Sequence, residues 1–285
     1  MIIVDYSGIM YSSVTAQIGY DPEIGAAIDE GLIRHTILNT IRYNNREFRQ
    51  KFGELVLVFD SSTYWRKSVF PNYKIRRKKA RDESMIDWEL VFSTTKKVKG
   101  EIIDHFPYRT FEVGEAEADD VIAELVRIHH NEQILIISTD QDLIQLQDEL
   151  GDRITQYDPV RKRYLTHPSP STFLLEKIIK GDAGDDVPNV MMPDDTFIQG
   201  IRQKPITAKR LEEFGRDLPN GIGTEEHLQN FKRNDLLINL NRIPEDIRRG
   251  VRKIYAQPNT KTKKHLTNYF VKNRLKNLYE GIADF

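Results

Sequence analysis

Acidic residues recur at one kind of place in this chain. Asp5 closes the apolar run Ile2-Ile3-Val4, Asp60 follows Leu55–Phe59, and Asp140 and Asp142 follow Ile134–Ile137 in Ser138-Thr139-Asp140-Gln141-Asp142. One aspartate after an apolar run is usually a turn residue. Three runs ending this way, one of them in Asp-x-Asp, point instead to carboxylates gathered by neighbouring strands. Functional residues of an open parallel sheet lie just beyond the carboxyl ends of its strands. Glu117, Asp119 and Asp120 sit in the first turn of an expected helix, and three acids exceed what a helix dipole needs. Asp182 and Asp185 follow in Gly181-Asp182-Ala183-Gly184-Asp185-Asp186. That spacing is not an EF-hand, which needs acids at alternate loop positions and a distal glutamate. So many carboxylates in one place repel each other unless cations lie between them. Oxygen-only ligands suit Mg²⁺, or Mn²⁺ in its place. Two such ions can activate a water and stabilise the leaving oxygen in phosphodiester hydrolysis.

The charge balance supports a polyanionic partner. Over 285 residues, 42 Lys+Arg stand against 43 Asp+Glu, a net charge of −1. The near-zero sum hides segregation. Residues 66–81 hold eight basic residues and no acid, and residues 248–276 hold ten and no acid. The other 240 residues carry 24 basic residues against 43 acids, or −19. Basic blocks of this kind suit a nucleic acid, and a metal-dependent nuclease accounts for both the acids and the bases. Cysteine is absent, which excludes disulfide frameworks and thiolate metal sites. The longest apolar run, Leu55–Phe59, is far short of a membrane span. Met1 leads straight into Ile2-Ile3-Val4, so no signal peptide is expected, and the reading is a soluble cytoplasmic protein. His129-His130 has no acids at metal-ligand spacing and is read as structural.

The elements that must position these residues follow from periodicity. Met1–Asp5, Leu55–Phe59 and Ile134–Ile137 read as buried strands, with shorter ones at Tyr108–Val113, Ile154–Tyr157 and Arg163–Leu165. Residues 29–52 read as a helix with Ile33, Ile37, Ile41, Phe48 and Phe52 on one face. Met85–Phe106, Glu115–His130 and Phe173–Lys180 are helical in pattern. Continuous apolar strands alternating with helices give an α/β fold with a mainly parallel sheet covered on both faces. Beyond a soft boundary near 180, a Gly/Pro/Asp-rich stretch leads into helical segments near 205–215, 224–240, 244–256 and 262–279. Residues 66–81 show no apolar face and, being densely cationic, are expected to be mobile without a partner.

In this order the motifs resemble the 5′-nuclease (flap endonuclease, 5′–3′ exonuclease) family, most closely its T-even-type phage ribonuclease H branch. They are Ile3-Val4-Asp5-Tyr6-Ser7, Val58-Phe59-Asp60, Tyr73-Lys74 with Arg77, Glu115-Ala116-Glu117-Ala118-Asp119-Asp120, Ser138 to Leu143, and Lys180-Gly181-Asp182 to Pro188. The resemblance implies a PIN-like nuclease domain over 1–180, with a basic helical arch at about 64–100, and a helical DNA-binding domain over 181–285. It implies one metal held near the scissile phosphate by Asp60, Glu117, Asp119, Asp140 and Asp142, with Asp5 directly or through water. Asp182 and Asp185, with Asp142, would serve a second metal. Asp120 matches a position that is acidic in phage and bacterial members. Lys74 and Arg77 match a basic pair at the reacting phosphate, where they would neutralise transition-state charge. Tyr73 is a candidate for stacking on a terminal base or for core packing. Arg76, Lys78, Lys79 and Arg81 in the arch, and Lys261, Lys263 and Lys264 near the end, are candidate backbone-phosphate contacts.

One departure stands out. Family members usually continue into a glycine-rich helix-hairpin-helix that grips duplex DNA and can hold K⁺. Here Asn189–Lys204 is long and lacks the glycine pair, and Pro205 to Arg210 is a degenerate second helix at best. The expected activity is a Mg²⁺-dependent 5′→3′ exonuclease and flap endonuclease acting on RNA–DNA hybrids and on flapped or forked DNA, as a monomer. Tyr269-Phe270 and Leu275–Leu278 form a stripe for core packing or for a partner such as a phage single-strand-binding protein or sliding clamp. The rivals are a PIN-type endoribonuclease for single-stranded RNA and a non-catalytic DNA-binding protein of the same fold.

Overall fold

The computed structural model describes residues 1–18, 29–147 and 153–285. In chain order its elements are β1 (Ile2–Asp5), α1 (Tyr6–Ile18), α2 (Glu30–Phe52), β2 (Leu55–Val58), α3 (Trp65–Val69), α4 (Ile75–Asp82), α5 (Trp88–His105), β3 (Arg109–Phe111), α6 (Ala118–Ile128), β4 (Ile134–Ile137), β5 (Ile154–Asp158) and β6 (Arg163–Leu165). There follow α7 (Pro170–Lys180), α8 (Ala208–Asp217), α9 (Glu225–Ile238), α10 (Glu245–Tyr255), α11 (Leu266–Lys272) and α12 (Lys276–Glu280).

The strands form one six-stranded sheet in the order β3-β2-β1-β4-β5-β6, parallel except for β6. Ile3 of β1 pairs with Val56 on one side and Ile136 on the other. Strand alternation divides the core. Ile2, Val4, Leu55, Leu57, Leu135 and Ile137 face a layer built from α1, α2, α5, α11 and α12. Ile3, Val56, Val58, Ile134 and Ile136 face α6 and α10. Burial on both faces explains why the strands read as unbroken apolar runs.

α2 starts where Asp29 accepts hydrogen bonds from the amides of Gly31 and Leu32, and it stops at Gly53, whose φ is 83°. α1 was not expected from the sequence. Its first turns carry Ser7 and Gly8, and the hydroxyls of Ser12, Ser13 and Thr15 bond back to main-chain carbonyls, which weakens helix propensity. Burial of Tyr6, Ile9, Met10 and Val14 decides the matter.

Residues 66–81 are corrected by the structure in their first part. Phe70 and Tyr73 are buried against Ile178, Val187, Leu237 and Ile238, and Trp65 and Arg66 are buried too. The apolar residues missing a helical period pack singly, from α3 and the turn after it. α4 has no buried residue and presents a solvated basic surface.

Helices after residue 180 share cores with elements before it. α7, α8 and α9 pack together, with Ile179, Val190, Met191 and Leu218 between them. α10 lies on α6, and a Cβ at Gly250 would stand 2.7 Å from a methyl of Val113, in the segment between β3 and α6. The segment expected as one helix over 262–279 is two, α11 and α12, broken near Arg274 at φ 56°. Its stripe of Tyr269, Phe270, Leu275 and Leu278 is core, packed with Phe106 and Ile102. Residues 189–204 contain no helix. The Asn189 side chain ties to the Lys204 carbonyl at 2.8 Å, and α9 pins the loop through Asn230 to the Val190 and Met192 carbonyls.

Candidate active site

Strand order reverses between β1 and β4, the switch point where an open sheet leaves a crevice. Asp5 ends β1, Asp60 lies just past β2, and Asp140 just past β4. The N-terminus of α6 adds Glu117 and Asp119. These five acids line a cleft of about 210 Å³ with Ser7, Tyr11, Tyr64, Lys74 and Arg77. Asp119 also lines an adjoining small hollow with Asp142, Asp182, Asp185 and Tyr73. It is the wall the two groups share.

Each carboxylate is held differently. Asp5 accepts from the Ser7 amide at 3.0 Å and the Ser138 hydroxyl at 2.8 Å. Burial, then the charge of Asp60, pushes its carboxyl up to about 7. Asp60 accepts from the Ala118 amide at 2.7 Å and from the Ser7 hydroxyl. Among the described residues no donor reaches the Asp119 carboxylate. Burial, with Asp140, Asp5 and Glu117 nearby, raises it well above the carboxylate range. Asp140 accepts from the Asp142 amide at 2.8 Å, and its own amide bonds Ser138 Oγ at 3.1 Å.

Cationic side chains sit among these acids. Lys74 caps α4 with a left-handed backbone, φ 55°. Its ammonium bonds Glu117 and lies 3.4 Å from Asp185. Burial would lower its pKa, but Asp185 and Glu117 raise it. Arg77 pairs with the other oxygen of Asp185. Burial pushes Asp185 up, and Lys74 and Arg77 outweigh it, holding that carboxyl below its usual range. Lys177 of α7 was not singled out from the sequence. Its ammonium touches Asp142 and lies 3.0 Å from Asp182. As they stand, no three acids among the described residues converge closely enough to hold an ion; lysines lie between them. Replacing Lys177 by Met is expected to raise affinity for Mn²⁺ by about tenfold or more, since a unit charge at such range is worth a few kcal/mol. Titration calorimetry on the metal-free protein measures it, and unchanged affinity would place the ions elsewhere.

Several expected residues do not join the cleft. Asp120 is fully buried and turns away from it. Its oxygens take two hydrogen bonds from Arg66, one from Trp65 Nε1 at 3.0 Å, and one from the Glu117 amide. It is a structural counter-ion, because successive helix positions point about 100° apart. Arg66 bridges Asp120, Glu117 at 2.7 Å and the Leu237 carbonyl at 2.7 Å. Tyr73 is buried, so it offers no face to a base; its hydroxyl bonds Glu117 at 2.9 Å and Asp185 at 2.8 Å. Arg76 is tied to Asp186 and to the Ala183 carbonyl and lies over the Phe197 ring. Lys78 and Lys79 are exposed on α4. Arg81 lies over Phe92. The terminal lysines sit elsewhere. Lys263 Nζ donates to the Ala283 carbonyl at 2.8 Å and lines a hollow with Glu54 and Pro107, which precede β2 and β3. Lys261 reaches Thr110 Oγ1 at 3.4 Å, and Lys264 is exposed three residues on. This end of the sheet is opposite the acids.

Comparison with known proteins matches this arrangement. Residues 1–173 match the family model "5′-3′ exonuclease, N-terminal resolvase-like domain", and residues 168–285 match "T4 RNase H, C terminal". The ribonuclease H of Enterobacteria phage T4 is 32% identical over 295 aligned residues, covering 99% of this chain and 95% of that protein. The DNA polymerase I of Streptococcus pneumoniae is 28% identical over 48% of this chain and 16% of its own length. Two solved structures share the fold at 19% identity and a TM-score of 0.64. One is the bacteriophage T5 flap endonuclease with DNA and metal ions, over 89% of this chain and 97% of that one. The other is the T5 5′-exonuclease with zinc, over 90% and 98%. A sheet whose strand ends gather acids at its switch point, matched along its whole length in this way, makes the chain a member of the 5′–3′ exonuclease family, in the branch that includes phage T4 ribonuclease H.

Proposed function

We propose that this nuclease is a divalent-metal-dependent 5′→3′ exonuclease and flap endonuclease that removes RNA primers and 5′ flaps during DNA replication. The observation that carries this reading is the cleft itself: acids from β1, β2, β4 and α6 face Lys74 and Arg77 across one crevice. The donor set is all carboxylate oxygen, which fits Mg²⁺ or Mn²⁺. Asp5, Asp60, Glu117, Asp119 and Asp140 would hold one ion, and Asp142, Asp182 and Asp185 a second. The raised carboxyls of Asp5 and Asp119 are those of a site that gains from a cation. Such ions, when bound, activate water and offset charge on the phosphate and leaving oxygen.

The protein supplies position and charge. Lys74 and Arg77 donate to the non-bridging oxygens of the scissile phosphate, where negative charge builds in the transition state. Tyr73 and Glu117 hold Lys74 over the crevice. Hydrolysis leaves a 5′-phosphate and a 3′-hydroxyl. Lys74→Ala is expected to slow single-turnover cleavage about a hundredfold while changing substrate affinity far less. A loss confined to affinity would remove Lys74 from the chemistry. The reading as a whole is tested by product analysis on a 5′-flapped, RNA-primed duplex with Mg²⁺ and with EDTA. Mg²⁺-dependent release of the flap or primer is expected. Cleavage of linear single-stranded RNA alone would favour an endoribonuclease, and binding without cleavage a non-catalytic protein.

A further inference from the structure

Gln156 of β5 is out of place by strand alternation. Ile154, two residues before it, and Ile136, paired with it on β4, lie on the apolar face toward α6 and α10. A side chain at 156 belongs to that same face, and Gln156 is fully buried there. Its Nε2 donates to the Ser138 carbonyl at 3.2 Å and to the Asp140 carbonyl at 2.6 Å. Its Oε1 has no hydrogen-bond partner among the described residues. A buried amide with one end unpaired costs stability that an apolar side chain would not. What this amide holds is the turn that carries Asp140.

That turn ends a continuous chain of hydrogen bonds behind the acids. Ser138, 1% exposed, donates its hydroxyl to Asp5 Oδ2 at 2.8 Å and accepts from the Asp140 amide at 3.1 Å. The Ser7 amide donates to Asp5 Oδ1 at 3.0 Å, and the Ser7 hydroxyl donates to Asp60 Oδ2. The Ala118 amide donates to Asp60 Oδ1 at 2.7 Å. Acids of β1, β2 and β4 are thus tied into one frame, with Gln156 of β5 at its end. Carboxylates gathered in one place repel each other. Without such donors they would turn apart, and an arriving ion would have to gather them. A carboxylate oxygen that accepts one hydrogen bond keeps a lone pair for an ion. We infer that Gln156 and Ser138 are positioning residues that hold Asp140 and Asp5 in register for a divalent ion before it arrives. The inference rests on the nuclease reading above and deepens its metal site.

Calorimetric titration of the metal-free protein with Mn²⁺ tests it. Gln156→Met keeps the length and loses both donors, and Ser138→Ala removes one oxygen. Each is expected to bind Mn²⁺ about tenfold or more weakly, the usual effect of losing a partner behind a metal ligand. The Mg²⁺ concentration that half-saturates single-turnover flap cleavage should rise by a similar factor, while the rate at saturating Mg²⁺ stays close to native. Asn230→Leu is the control. Asn230 is buried and also donates to two main-chain carbonyls, those of Val190 and Met192 in the loop over 189–204. This variant should melt below the native protein yet bind Mn²⁺ as the native protein does. Native Mn²⁺ affinity in Gln156→Met and Ser138→Ala overturns the inference, and so does an equal loss of affinity in Asn230→Leu. Should Gln156→Met fail to fold, Ser138→Ala decides alone. A native protein that neither binds Mn²⁺ nor cleaves with Mg²⁺ fails the nuclease reading instead.

Discussion

Asp119→Asn is expected to reduce Mg²⁺-dependent cleavage by about 10³-fold or more, the scale at which losing a preorganised electrostatic contact is felt. Asp119 is the shared wall of the two acidic groups, so its charge serves both. The same change should stabilise the metal-free fold. Burial and the neighbouring Asp140, Asp5 and Glu117 raise this carboxyl well above its usual range. The folded state therefore holds its proton more tightly than the unfolded chain does. That contribution is fully present below the unfolded carboxyl's pKa and is lost as pH rises through the folded one. Asparagine has no charge to lose. In EDTA the variant should melt above the native protein at about pH 8, and the difference should shrink at about pH 4. Added Mg²⁺ should raise the native melting temperature more than the variant's. Wild-type cleavage by the variant would remove Asp119 from the site. An unchanged melting temperature at the higher pH would mean that its charge is not confined as described.

Arg66→Met is expected to cost about 3–5 kcal/mol of stability, the usual effect of removing one partner from a buried ion pair. The guanidinium is 4% exposed, and its partners Glu117 and Asp120 are 5% and 0% exposed. Methionine fills the space but leaves two carboxylates facing each other in the interior. Urea unfolding measures the loss. Lysine should not restore it, because one ammonium cannot reproduce a fork that reaches Asp120, Glu117 and the Leu237 carbonyl together. Asp120→Leu in the Arg66→Met background should recover part of the stability, since a well-packed apolar pair is often as stable as the ion pair it replaces. Cleavage should stay low in that double variant, because Glu117 has lost a hydrogen bond that orients it. A single variant of nearly native stability would mean that the network is not the joint holding α3 to α6 and α9.

The fold was legible where burial leaves an unbroken apolar run. β1, β2 and β4 bury all of their residues, so the runs were visible and the acids after them were visible as strand ends. What escaped depends on direction around a helix or on partners distant in sequence. Asp119 and Asp120 are neighbours in the chain, yet one faces the cleft and the other an arginine inside. Arg66 was counted among the solvated bases of its segment, because its two acids follow some fifty residues later. Lys177 is an ordinary lysine of an amphipathic helix until Asp142 and Asp182 are brought beside it. α1 begins at the very residue after the Asp5 strand, with serines and glycine, so propensity argued against the helix that packing imposes.

The helices near the chain's end cover α2 and α5 rather than forming a layer of their own. Leu266, Tyr269, Phe270 and Leu278 share a core with Phe106 and Ile102 of the first half. This limits how such a chain can be cut or recombined. A fragment ending before α11 would expose the apolar residues of α2 and α5 that it packs on, and a fragment of the last helices alone would have nothing to cover. Exchanging the C-terminal segment between relatives would require α2 and α5 to travel with it, or their contact residues to be rewritten.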